Sequence, residues 1–464
     1  MKHIKDFIGN RTIGIGILVT MLTCGLISCK KYLDKKYSNT ITTPTSLTDL
    51  QALLDDASGT MNVKRTPSFG EASADDYFCL PEQYANLSSW QQQAYIWMPY
   101  DYTYPNDWSI CYVPVYNANY CLDAIGDIGR NSENAEAWDN VKGSALFFRS
   151  YYFLMLDWTF SKAYDESSAD TDKGIVLRLT SNYNEPSVRS SVRESYNQVI
   201  TDTKVAADLL PDLPLHSYRP SKCAAYGLLS RAYLSMRIYD SAYKYANMAL
   251  LLKNDLMDLN GDEDIGTLTD YYPFKKFNKE TVFYTEMNAS GTFSLIVTPR
   301  GRVDSSLINT YDSSDLRKIA CFAQSGNYYL YKGSYAQSSL CFTGLTTAEM
   351  LLMRAECAIR TGDAETALSD LNRLLENRYK TGTYSPLSMA SGDSILDRIL
   401  LERRKELLFR GLRWMDIKRL NKEGRDITLK RIIDGKVYTL APDASYYALP
   451  LPKDIIDITG IAQN

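Results

Sequence analysis

Side chains able to do chemistry are unevenly spread along this chain. In "DLNGDED", Asp258, Asn260, Asp262 and Asp264 stand at alternating positions, as oxygen ligands do at the start of a calcium loop. Glycine is missing at the sixth position of that loop and glutamate at the twelfth, so a solvated acidic loop is the expected state and calcium the alternative. Beyond residue 28 the only histidine is His216, in "PDLPLHSYRP". That excludes the usual histidine-based metal triads and leaves a Ser-His-Asp arrangement possible only through one residue of a proline-rich loop. Seven cysteines follow Cys29, at 79, 111, 121, 223, 321, 341 and 357. Their number is odd and their spacing irregular, so no disulfide framework or zinc pattern follows, and buried free thiols are expected. Rings are the abundant chemistry: 35 tyrosines and six tryptophans. Tyr77, Tyr84, Trp90, Tyr95, Trp97, Tyr100, Tyr102, Tyr104 and Trp108 crowd one polar stretch. An aromatic plane can stack on the C–H face of a pyranose while amides and carboxylates take its hydroxyls, and it suits a peptide equally.

Cys29 belongs to a different chemistry. Lys2, Lys5 and Arg11 precede an apolar run from Ile13 to Ile27, the order of a secretory signal and too short to span a bilayer. Leu26-Ile27-Ser28 directly before Cys29 resembles the lipobox of bacterial lipoproteins, which implies cleavage at residue 28 and acylation of the cysteine. Each buried acyl methylene adds about 0.8 kcal/mol of membrane affinity. Without residues 1–28 the chain carries 48 basic and 54 acidic residues, and nothing in that balance suits nucleic acid or an anionic membrane surface.

The elements that must position the rings are mostly helical. Apolar residues recur at three and four over 137–160 and 191–210. "KCAAYGLLSRAYLSMRIYDSAYKYANMALLL" matches the tetratricopeptide pattern, with Tyr226, Leu229, Ser230 and Tyr233 on a first helix and Ala242, Ala246 and Ala249 on a second. A second match has Leu351, Ala355 and Ala358, a Gly362-Asp363 turn, then Ala367, Leu371 and Leu374. The two units are separated by an insertion over about 253–345, polar and broken, with β-like runs "TVFYT" and "NYYLY". A second irregular region covers 61–110. "ILDRILLERRKELLFRGLRWMDIKRL" reads as one helix with a charged outer face, and "YYALPLPKDIIDI" as an extended tail.

Taken in order, the blocks resemble the SusD/RagB-like outer-membrane nutrient-uptake lipoproteins. Those blocks are Cys29 with Tyr32-Leu33-Asp34; Tyr116 and Asn119 in "VYNANYCLDAI"; Arg149 and Tyr152 in "ALFFRSYYFLMLDW"; "RPSKCAAYGLLSRAYL"; Asp315-Leu316-Arg317; "MRAECAIRTGDAETALSDLNRL"; "ERRKELLFRGLRWMDIKRL"; and "YALPLPKDII". In two places the chain departs from the family's pattern: Arg410 stands before Gly411 where an acidic residue is usual, and Lys30-Lys31 follow the cysteine. The resemblance implies a mainly α fold, with tetratricopeptide-like helix pairs as scaffold and irregular loops with a few short strands as the ligand face. It implies residues 1–28 as signal peptide and 29–464 as a single domain. It further implies a lipid-anchored outer-membrane protein facing the cell exterior that captures an oligosaccharide, or in some members a peptide, and passes it to a TonB-dependent SusC-like transporter without doing chemistry. No recognisable catalytic block supports the rival reading, a glycoside hydrolase with two carboxylates; the other rival is a scaffold that binds partners through its helical repeats.

Within that face the expected ligand residues are Tyr84, Trp90, Tyr100 and Tyr102, which lie in polar loop sequence, with Arg302 and Tyr328 from the insertion. Trp97 joins them, although "YIW" also reads as a β-like run that would bury it. Trp108, Tyr112 and Tyr116 recur at four and are assigned to the core. Asp75 and Asp76 could accept from ligand hydroxyls, but capping a helix or facing water is their expected role.

Overall fold

The computed structural model describes residues 44–297, 300–388 and 392–464. The signal segment, Cys29 and Tyr32-Leu33-Asp34 lie outside them. Ser46–Asn464 form one compact unit, mainly helical, with ten short strands paired two by two among the described residues.

The helices that carry the argument are α1 (Leu47–Leu54), α2 (Ser89–Tyr95), α3 (Asp107–Ile125), α4 (Ala135–Phe160), α5 (Val192–Leu209), α6 (Lys222–Ser235), α7 (Tyr239–Leu252), α8 (Thr347–Arg360), α9 (Ala364–Glu376), α10 (Gly392–Glu406), α11 (Arg413–Asn421) and α12 (Lys453–Thr459). Their starts follow from local chemistry. Ser191 and Glu194 form a capping box on α5, Ser221 accepts from Ala224 N on α6, and Asp363 accepts from Thr366 N on α9. From α3 to α9 each helix packs on the next in chain order, and α10 lies against α8 and α9. Ala242, Ala246 and Ala249 are fully buried, the close approach that small residues allow.

The two tetratricopeptide-like pairs, α6–α7 and α8–α9, are therefore spatial neighbours despite the insertion. Its base closes on itself. Strand β4 (Thr281–Phe283) pairs antiparallel with β8 (Leu345–Thr346), and Thr347 Oγ1 donates to Asp255 O just beyond α7, so the chain is back at its departure point as α8 begins. Arg231 of α6 seals the junction with a bidentate ion pair to Glu349 of α8, both fully buried, and a 2.6 Å bond to Gly344 O.

The insertion and the 61–110 region are stitched to each other. Thr66 bridges Met287, β1 (Tyr77–Cys79) pairs with β5 (Gly301–Val303), and Asn62 Nδ2 donates to Tyr284 O. Beneath them Arg431, from the hairpin β9 (Leu429–Ile433) and β10 (Lys436–Leu440), lies 4.6 Å from the rings of both Tyr77 and Tyr95. It is a buried cation held by aromatic faces and by the carbonyls of Tyr77 and Ala74.

Several expectations need correction. The run 395–420 is two helices, because the chain turns between Glu406 and Arg413 through Phe409 (φ 56°) and Gly411 (φ 76°). Its charges are not an outer face either: Glu402, Arg403, Lys405 and Arg419 are 2 % exposed or less. Arg317 reaches Asp315, Glu402 and Glu406, Arg378 reaches Glu406 and Glu280, and Arg419 spans Glu356 and Asp416. The cause is that the polar side of α10 and α11 is covered by the insertion and by α8, which bring countercharges with them, as buried ions require. Neither Asp75 nor Asp76 caps a helix, and Asp76 is buried; Arg413 grips the partly exposed Asp75 at 2.7 and 2.9 Å, and Arg404 holds Asp76 at 2.7 Å. The tail is extended only to Pro452 and then forms α12. Tyr116, assigned to the core, is 48 % exposed, although Trp108 on the same helix is buried.

Candidate functional site

The aromatic region folds around short helix α2. Gln91 Oε1 accepts from Ser88 N and Oγ at its start, and Gln91 Nε2 donates to Gly291 O and Ser294 Oγ, which ties the helix to the insertion. Trp90 thereby stands beside the loop 100–105. Its ring lies 6.1 Å from that of Tyr102 with planes 19° apart, and 6.0 Å from Tyr100 at 31°. Phe69 meets Tyr100 and Tyr102 edge-on from below, at 5.9 and 5.8 Å. Tyr102 donates its hydroxyl to Pro450 O and accepts at its carbonyl from Lys453 N, while Tyr104 N donates to Asp454. The rings are thus fixed by three distant parts of the chain.

Above them is an open depression of about 480 Å³, lined by Trp90, Tyr102 and Tyr104 with Ser88, Gln91, Asp101, Thr103, Pro105 and Gly291. A second, much smaller space of about 10 Å³ lies beneath, between Trp90, Tyr102, Asn106 and Asp107. Asp107 is held there by Ser68 N, Phe69 N and Asn288 Nδ2, and burial pushes its carboxyl up to about 6. Asn106 caps α3 through Oδ1, but its buried Nδ2 has no hydrogen-bond partner within the protein. Burial also raises the phenols of Tyr100 and Tyr102 far above their ordinary value, so both stay neutral. A near-parallel aromatic pair bordered by an amide, a carboxylate and hydroxyls can take the apolar face of a flat ring and bond its edge.

The sequence candidates separate into distinct places. Trp90 and Tyr102 meet in the depression. Tyr100 is buried under them, 9 % exposed, and supports rather than contacts. Trp97 is core: it is 6 % exposed, its Nε1 donates to Ser73 O, and the turn after α2 places its backbone at φ 57° instead of in a strand. Tyr84, on the short helix Pro81–Ala85, packs on Tyr95 at 5.6 Å and belongs to a different core cluster from Trp90. Arg302 pairs in register with Phe78, whose ring meets Tyr328 of β7 (Tyr328–Tyr331) at 5.4 Å, so these two form a separate patch at strand edges. Missed were Gln91, Asp101 and Gly291. The last carried a signal, since "NASGT" is a turn and Gly291 sits at φ 63°.

The acidic run is engaged locally. Asp262 pairs with Lys279 at 2.9 Å, Asp264 accepts from Lys279 N, and Asp258 closes a turn on Asn260. Among the described residues no three His, Cys, Asp or Glu side chains converge as metal ligands, and no helix is long and apolar enough to cross a membrane.

Comparison with known proteins agrees with this architecture. Residues 31–234 match a SusD-like family model described as starch-binding and associating with the outer membrane, and residues 301–449 match the SusD family model. A SusD-like protein P2 of Formosa agariphila is 24 % identical over 372 residues, 68 % of this chain and 71 % of that protein. A SusD superfamily structure from Bacteroides thetaiotaomicron superposes with a TM-score of 0.73 at 21 % identity, over 90 % of this chain and 99 % of that one. The surface glycan-binding protein A of Bacteroides fluxus gives 0.65 at 18 % identity, over 91 % and 99 %. The chain belongs to the SusD/RagB-like family, as the ordered sequence blocks had indicated.

Proposed function

We propose that this protein is a lipid-anchored, outward-facing outer-membrane receptor that captures an oligosaccharide in the Trp90–Tyr102 depression and delivers it to a partner TonB-dependent transporter. The observation that carries the reading is that depression, where two near-parallel rings are held by hydrogen bonds from the insertion and the tail. The family description and the glycan-binding relative point the same way.

Calorimetric titration of the chain from residue 30, with a panel of oligosaccharides and peptides, tests it. Saturable binding of an oligosaccharide class is expected. Trp90→Ala should weaken it by about tenfold, the scale of one aromatic contact, while the variant still unfolds cooperatively, because Trp90 is only half-buried. Binding of peptides alone, or binding indifferent to Trp90→Ala, would overturn it.

A further inference from the structure

A second cavity, of about 250 Å³, opens beside the depression between α3, the loop 176–187 and α12. Its size is that of roughly eight waters, room for one ring and its hydroxyls. Trp108 and Tyr112 line it, their rings 5.1 Å apart, together with Ile455 from α12. Tyr116 and Tyr183 border it at 48 % and 81 % exposure, and Arg178 and Asn182 supply polar groups.

The wall is built in advance. Asn119 Nδ2 donates to the carbonyls of Arg178 and Thr180, Tyr112 donates to Val176 O, and Asp123 accepts from Ser181 N. Arg149 in turn holds Asn119 Oδ1 and Leu179 O while anchored on Asp202 by two bonds of 2.8 and 2.9 Å. A loop fixed at this many points presents Tyr183 to solvent as part of a rigid surface, which lowers the ordering cost of a ligand.

The two cavities are lined by neighbouring residues of the chain. Asn106 and Asp107 lie under Trp90 while Trp108 and Ser109, the next residues, line the second space. Along the tail, Asp454 bonds Tyr104 at the depression, the next residue Ile455 lines the second cavity, and so does Thr459, about 7 Å further along a helix rising 1.5 Å per residue. Tyr104, 68 % exposed, lines the depression on the side bonded to Asp454.

We infer that this cavity is a second carbohydrate-ring subsite, so that one oligosaccharide spans from Trp90 past Tyr104 to Tyr183. The inference rests on the proposed function and adds to it a preference for longer chains. Rings on floor and rim with amide and guanidinium donors between them are the chemistry of a pyranose, whose edge needs donors that a purely apolar occupant would leave unused.

The test is a glycan array of chains from two to about ten rings, probed with the full chain in a non-glycosidic detergent, as native protein, Trp90→Ala and Tyr183→Ala. Tyr183 is too exposed for its loss to disturb folding. Short glycans should bind Tyr183→Ala as they bind native protein, while the longest should bind it about tenfold more weakly. Binding lost in Tyr183→Ala but kept in Trp90→Ala would support the cavity and refute the depression. An array blank for native protein refutes both. An array for Tyr183→Ala equal to native at every length overturns this subsite alone; if that variant has also ceased to co-purify with an outer-membrane protein, the cavity takes a partner's side chain instead.

Discussion

The ion pair between Arg231 and Glu349 allows a quantitative test of how the two helical pairs are joined. Arg231 directs Nε and Nη2 to the two carboxylate oxygens at 2.6 Å each, and Nη2 also to Gly344 O; neither side chain touches water. Glu349→Gln keeps the shape but removes the charge and sets an amide NH₂ against a guanidinium N–H. Losing one partner of a buried pair costs about 3–5 kcal/mol, because the remaining charge stays desolvated. At about 2.1 cal/mol/K per residue over roughly 420 residues, that lowers the melting temperature by only about 3–6 °C. The urea midpoint is therefore the sharper readout, with the slope expected to stay constant. Arg231→Met combined with Glu349→Leu should recover most of the loss, since apolar replacements of buried pairs are often neutral or better. A cost below about 1 kcal/mol for Glu349→Gln, or a double variant no better than the single, would refute the claim that this junction is dry.

Further expectations concern backbone, pH and thiols. A Cβ at Gly344 would lie 1.9 Å from Phe283 O, so Gly344→Ala should cost at least the roughly 1–3 kcal/mol of overpacking, whereas at Gly227 it meets only the tip of Met350 and Gly227→Ala should be nearly neutral by thermal midpoint. Burial and Asp76 raise Glu71 to about 8, so its contribution is complete below its ordinary 4.5 and is lost as pH climbs from there to about 8; Glu71→Gln should flatten that decline in urea midpoints, and parallel curves would exclude it. On the acid side the guanidinium groups of Arg317 and Arg378 oppose desolvation and hold Asp315 and Glu406 down at about 2, so stability should fall as pH drops from about 4 toward 2. Burial pushes the thiols of Cys121, Cys223 and Cys321 up to about 12, so a disulfide reagent at pH 8 should label the chain from residue 30 only after denaturant is added.

The helical scaffold was legible because its information is local. Caps such as Ser191 with Glu194, and alanines at the crossing points of α6 and α7, act within one or two turns. The face was legible only in outline. Trp90 and Trp97 lie seven residues apart in the same polar, ring-rich sequence, yet one borders a depression and the other donates to Ser73 O in the core. That difference depends on a single left-handed turn after α2 and on Arg431, which arrives from more than 300 residues away. Buried charge was misread for the same reason: nothing near Glu402 or Arg419 announces that Arg317 and Glu356 will cover them. On α3, a spacing of four correctly placed Trp108, Tyr112 and Tyr116 on one face, but that face leaves the core along its length and ends at an open cavity.

The depression is held by Gln91 bonding the insertion, by Phe69 beneath, and by Pro450, Lys453 and Asp454 at the tail. Its last fastenings therefore all lie in one stretch of five residues, 450–454. A chain cut just before Pro450 would carry every ring of the proposed capture surface yet lose the bonds that set Tyr102 and Tyr104. Competence for capture would thus report that residues 450–454 are in place, a form of quality control that needs no separate inspector.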